Sequence, residues 1–148
     1  MTNMGVTVAI LEGETILLTL REDFEVWCMP GGEVDEGESL AEAVAAVAQY
    51  QPAALLVNCI PSQHITPAIK RLKSLTNLPI GAYGNMDTPM EVSGWAAAPL
   101  IAPVHYCDYA GEWLALGAKI IGSCCGSSPD HTAALRKLIE RDSSIHDM

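Results

Sequence analysis

The chain is expected to fold as an α/β protein, with a β-rich hairpin region first and strand–helix units after it. Three observations predict this. Two short aliphatic runs, Leu55-Leu56-Val57 and Ile120-Ile121, read as buried parallel strands, and each leads into a thiol. From residue 40 onward such runs alternate with stretches of helical spacing, the βαβ rhythm of a parallel sheet. Before residue 40 the apolar runs are short and β-branched, and Glu12-Gly13-Glu14 divides two of them as a hairpin turn would.

The elements follow in order. Val6 to Leu11 and Thr15 to Leu20 form the hairpin, and Glu25 to Cys28 is a third short strand. It enters Met29-Pro30-Gly31-Gly32-Glu33-Val34-Asp35-Glu36-Gly37-Glu38-Ser39, a glycine-rich acidic loop with Ser39 or Glu38 near the N-cap of the next helix. Leu40 to Tyr50 is alanine-rich, with Leu40, Val44 and Val47 at helical spacing, and Pro52 ends it. A strand at Ala54 to Val57 is followed by a helix over Thr66 to Leu75, with Thr66 as cap and Pro67 in the first turn. A strand at Leu78 to Ala82, a Gly/Asn/Pro/Ser-rich loop and a helix over Cys107 to Leu116 come next, and Gly117 stops that helix. A strand at Ala118 to Ile121 and a helix from Pro129 to about Arg141 complete the pattern, leaving a frayed polar tail.

The 148 residues suffice for one domain's worth of core, and 49% are apolar, which places the chain among globular proteins. Eight basic against eighteen acidic side chains give a formal charge of -10, which argues against nucleic acid or an anionic membrane as partner. No apolar stretch approaches the roughly 20 residues that span a bilayer. The start Met1-Thr2-Asn3-Met4 lacks the basic and apolar regions of a signal peptide, so the expected address is cytoplasmic. Five cysteines in a reducing compartment read as thiols or metal ligands rather than a disulfide framework.

Cys59 ends one parallel strand, and Cys124 and Cys125 follow another between Gly122 and Gly126. Carboxyl ends of parallel strands are where α/β proteins gather their chemistry. Three thiolates converging there can hold zinc and leave its fourth position open to a substrate. The alternative is that each is a small buried hydrophobe. Cys28 reads as core. His105 and Cys107 have i, i+2 spacing without a second pair, which favours a surface or core role. His64 and His131 read as loop and helix-start residues, His146 belongs to the tail, and Trp95 and Trp113 pack. Asn58 and Asn85 are candidates to bind substrate or, equally, to stabilise a turn.

Val57-Asn58-Cys59 and Gly122-Ser123-Cys124-Cys125 resemble the C-terminal part of the homocysteine S-methyltransferase family, over residues 38 to 141. Tyr83-Gly84-Asn85, Trp113, Gly117-Ala118, Pro129, His131 and Leu135 fall in the same register, and Ser123 replaces a glycine of the family's Gly-Gly-Cys-Cys loop. The resemblance implies the last three βα units of a TIM-type (β/α)8 barrel, incomplete because about 250 residues are typical, with Thr15 to Leu20 as the candidate for strand five. It implies zinc bound by Cys59, Cys124 and Cys125, which makes the homocysteine sulfur a thiolate that takes a methyl group from a small donor to give methionine. Without the family's first half, which holds the amino acid part of homocysteine, activity is expected to be weak or absent. An open half-barrel exposes strand edges and is expected to dimerise or recruit a partner.

Residues 5 to about 44 resemble something else, the start of a Nudix hydrolase: a strand with Trp27 runs into Pro30-Gly31-Gly32, and Gly37-Glu38-Ser39 follows. The helix then departs from that family, with Ala46 and Val47 in place of its Arg-Glu pair and Tyr50 and Gln51 in place of the Glu-Glu pair, so the metal-binding carboxylates are missing. Residues 1–40 are therefore expected to be a Nudix-like fragment joined to a methyltransferase-like unit at 41–148, since Gly37 to Ala43 fits both families. Diphosphate hydrolysis is one alternative function. A non-catalytic zinc-binding or structural fragment that works with another chain is the other.

Overall fold

The computed structural model describes residues 5–21, 26–33, 39–86 and 101–146. Its strands are β1 (Gly5–Ala9), β2 (Leu11–Glu12), β3 (Thr15–Ile16), β4 (Thr19–Arg21), β5 (Val26–Cys28), β6 (Gly31–Glu33), β7 (Ala54–Pro61), β8 (Ile80–Asn85) and β9 (Ile120–Ser123). Its helices are α1 (Leu40–Ala48), α2 (Ser62–Leu75), α3 (Pro103–Ala115) and α4 (Pro129–His146). The side chains of Cys28, Glu33 and His146, and residues Asp35, Glu36, Glu38 and Trp95, lie outside the described set.

Five strands form one sheet in the order β6-β1-β7-β8-β9. β7, β8 and β9 run parallel, while β1 is antiparallel to both of its neighbours. The architecture is thus mixed α/β around a parallel sheet. Thr15 to Leu20, the expected fifth strand, does not join this sheet: it divides between the small ribbons β2–β3 and β4–β5. β1 takes that edge of β7 instead, in register from Gly5 opposite Asn58 to Ala9 opposite Ala54.

The core lies between the sheet and its helices. Leu55, Val57 and Ile60 of β7 pack with Ile65, Ile69 and Leu72 of α2, Tyr106, Ala110 and Trp113 of α3, and Leu135 of α4. The opposite sheet face is thinner: Ala9, Ala54 and Leu56 form a second cluster, partly covered by Met29 and Tyr83. β8 and β9 approach closely because position 81 is glycine; a Cβ there would lie 2.6 Å from the Ile120 carbonyl oxygen.

Helix ends show where local signals were and were not sufficient. Ser39 caps α1, its backbone N–H donating to Glu42 Oε2 at 2.7 Å and its Oγ accepting from the Glu42 N–H at 3.3 Å, a capping box. Gly117 turns the chain out of α3 with a φ of +102°, and Lys73 donates from α2 to the Leu116 carbonyl at 2.8 Å, a cation at the negative helix end. α2 begins at Ser62 rather than at Thr66, so Pro67 sits inside it. Pro67 is exposed, so water can take the Gln63 carbonyl that the missing N–H leaves free. α3 likewise starts earlier, at Pro103, and α4 continues to His146 where a frayed tail was expected. Among the described residues, no helix is long and apolar enough to cross a membrane.

Candidate metal centre

The carboxyl ends of β7, β8 and β9 converge on the thiols. Between Asn58 and Pro61, β7 spends three steps where β8 spends two, from Tyr83 to Asn85, so β7 carries a bulge. Cys59 occupies it with a φ of +55°, a left-handed conformation that a side-chain-bearing residue keeps only where its surroundings enforce it. Asn85 supplies part of that enforcement, donating from Nδ2 to the Cys59 carbonyl at 3.1 Å. Ser62, fully buried, donates in turn to the Asn85 carbonyl at 3.0 Å.

The other two thiols come from the loop after β9. Cys124 N–H donates to the Gly84 carbonyl at 2.9 Å, and Met86 N–H donates to the Cys125 carbonyl at 3.0 Å, so the loop stays zipped to the end of β8. Gly126, with a φ of +76°, then turns the chain toward α4. Cys59 Sγ lies 3.3 Å from Cys125 Sγ, Cys124 Sγ lies 3.9 Å from Cys125 Sγ, and all three sulfurs fall within 4.8 Å of one another. A tetrahedral ion with bonds of about 2.3 Å to sulfur sets its ligands about 3.8 Å apart. The donor set and its spacing therefore fit a soft divalent metal.

Without a cation, Cys124 and Cys59 hold their protons. Hydrogen bonds with Cys125 and Cys59, then burial, push the Cys124 thiol far above its usual range. A hydrogen bond with Cys124 lowers Cys59, but contact with Cys125, burial and charge repulsion outweigh it and leave that thiol raised too. A cation would reverse this balance by stabilising the thiolates.

Other candidates separate. His105 is exposed beside Asp108 at 3.7 Å, and Cys107 is half-buried against the core, raised by desolvation. His64 is exposed and Trp113 is fully buried. Asn58, next to Cys59, has its Oδ1 buried with no hydrogen-bond partner among the described residues. Sequence reasoning passed over Tyr106 and underrated His131, which is fully buried. The signal for Tyr106 was present: it shares the i, i+4, i+7 stripe of α3 with Ala110 and Trp113, and a buried phenol needs a polar partner.

The family model described as "Homocysteine S-methyltransferase" matches residues 7–139. The chain belongs to the homocysteine S-methyltransferase family. The match takes in most of the N-terminal segment as well as the thiol-bearing strands. Among curated relatives, the homocysteine S-methyltransferase of Escherichia coli (strain K12) is 31% identical over 90% of this chain and 44% of its own length. Homocysteine S-methyltransferase YbgG of Bacillus subtilis (strain 168) is 30% identical over 82% of this chain and 41% of its own. The chain thus spans less than half the length of these relatives. Among solved structures, the metallated form of the homocysteine methyltransferase MmuM from Escherichia coli superposes with a TM-score of 0.52 at 36% identity, over 69% of this chain and 30% of that one. Its oxidized form gives 0.54 at 34% identity, with the same coverages.

Proposed function

We propose that this family member carries the metal-binding part of a zinc-dependent methyl-transfer site for homocysteine, on the last βα units of a TIM-type barrel. The observation that carries the reading is the convergence of Cys59, Cys124 and Cys125 within 4.8 Å at the carboxyl ends of parallel strands. Zinc held by these three thiolates would keep a substrate thiol deprotonated at neutral pH, so that its sulfur attacks the methyl group of a small donor. The cysteines act as ligands and accept no methyl group. The bulge at Cys59 and the zipped loop set the ligands before any ion binds, which limits the ordering that binding must impose. Asn58 is the candidate substrate contact, because its buried Oδ1 lacks a donor among the described residues and the ammonium of an amino acid supplies one. Asn85 acts by holding the Cys59 carbonyl.

A second copy of this chain is the proposed partner. Leu11, Ile16, Leu17, Leu18 and Leu20 are exposed, and among the described residues β9 pairs with β8 alone. A cytoplasmic setting suits a site that needs reduced thiols. The proposed division at residue 40 and the Nudix-like origin of the first fragment rest on the strand with Trp27, on Pro30-Gly31-Gly32, and on the fit of Gly37 to Ala43 to both families. Diphosphate hydrolysis is not proposed, since Ala46, Val47, Tyr50 and Gln51 provide no carboxylates for magnesium.

The test is the zinc content of the purified, reduced protein beside a Cys124→Ser, Cys125→Ser variant. About one zinc per chain, lost in the variant, is expected; methionine formation from homocysteine with sulfonium and quaternary ammonium donors is then measured on the loaded protein. A folded parent without zinc overturns the reading.

A further inference from the structure

Two buried rings hold the two ends of the loop that presents Cys124 and Cys125. At its start, the Tyr106 hydroxyl lies 2.7 Å from the Gly122 carbonyl oxygen and 2.8 Å from the Gly84 N–H. It accepts from Gly84 and donates to Gly122, and so bridges β8 to β9 where Cys124 leaves the sheet. Burial pushes this phenol well above its usual range, so it keeps the proton it donates. At the loop's end, His131 Nδ1 lies 3.1 Å from the Ser128 backbone nitrogen and 3.0 Å from Ser128 Oγ. A backbone N–H can only donate, so Nδ1 is the bare nitrogen and Nε2 carries the proton. Nε2 lies 2.9 Å from the Ile101 carbonyl and donates to it, anchoring the loop to the segment just before α3. The two rings touch edge to face, with centroids 6.0 Å apart, and both residues are fully buried.

From this geometry we infer that Tyr106 and His131 are positioning residues for the metal centre, clamping Gly122 and Ser128 so that Cys124 and Cys125 stay aimed at Cys59. The inference rests on the proposed metal site. It adds that site's outer support, from residues that touch neither metal nor substrate. Each clamp satisfies buried backbone groups, so losing one frees the loop to relax.

The test titrates cobalt(II) into the reduced, metal-free full chain and follows thiolate-to-cobalt absorption, with stability measured in parallel. Tyr106→Phe and His131→Phe leave an aromatic ring at each position and remove the hydrogen bonds. Each is expected to weaken cobalt affinity by about 10- to 100-fold and to shift the absorption bands. Ile69→Val, a core change in α2 away from the loop, is expected to lower stability yet bind cobalt like the parent. Parent-like affinity and bands in the folded clamp variants overturn the clamp and leave the metal site standing. Equal weakening in Ile69→Val overturns it too, by showing that general stability sets affinity. If Tyr106→Phe does not fold, His131→Phe decides alone. A parent that binds no cobalt removes the metal site and the clamp together.

Discussion

Cys124 shares hydrogen bonds with Cys125 and Cys59 in a half-buried setting, and this holds its proton far above the ordinary thiol range. In the unfolded chain the same thiol ionises near its usual value of about 8.5. The native state therefore binds more protons than the unfolded state once pH exceeds that value. By linkage, the stabilisation is fully present below about pH 8 and is lost as pH climbs toward the raised native value. We expect the thermal midpoint of the reduced, metal-free protein to fall between about pH 8 and pH 10, and to fall less in Cys124→Ser. Equal slopes in the two proteins would contradict the shared-proton cluster. Asn58 poses the opposite problem, a buried acceptor with no hydrogen-bond partner among the described residues.

At the scale of elements, β1 decides whether the parallel sheet has a raw edge. It lies between β6 and β7, so each of its N–H groups points at one neighbour or the other. The Val8 N–H donates to the Pro30 carbonyl at 2.9 Å, and Val8 also packs against the main core. Val8→Pro removes that bond and inserts a ring into a central strand. It should destabilise the fold by about 1–3 kcal/mol in urea unfolding, the cost of leaving the Pro30 carbonyl without its donor. It should also expose the edge of β7 and increase aggregation in sedimentation runs. A variant as stable as the parent would show that the N-terminal segment is dispensable to the sheet. The placement of α2 makes a related point. Local signals favour a start at Thr66, but burial of Ser62 and Ile65 carries the helix a turn further back and tolerates Pro67 within it.

For the molecule as a whole, an acidic surface and an exposed apolar arm act against each other. The net charge of -10 keeps copies apart at low ionic strength, while Leu11, Leu17 and Leu20 are each at least half exposed. Salt screens the first effect and leaves the second intact. Sedimentation at about 50 mM and 500 mM salt, conditions either side of the usual screening range, should therefore show a dimer that grows with salt. Leu17→Glu with Leu20→Glu should hold the protein monomeric at both. A parent that is monomeric throughout would contradict self-association as the way the apolar arm is covered.

What the sequence determined by itself is local. The aliphatic runs before Cys59 and Cys124 mark parallel strands, Gly117 marks a helix end, and Ser39 or Glu38 marks a helix start, because each signal is complete within a few residues. The family resemblance singled out the three thiols as well, since the Val57-Asn58-Cys59 and Cys124-Cys125 motifs are legible without coordinates. Only the tertiary structure decided the rest. The contact between Cys59 and Cys125 spans 66 positions, and it depends on a bulge with a left-handed residue that no periodicity announces. The same holds for β1 filling the edge of β7 in antiparallel register, and for Tyr106 and His131 reaching the loop from separate helices. Such contacts are selected by what packs and which buried polar groups find partners, and both are properties of the assembled core rather than of any stretch of chain.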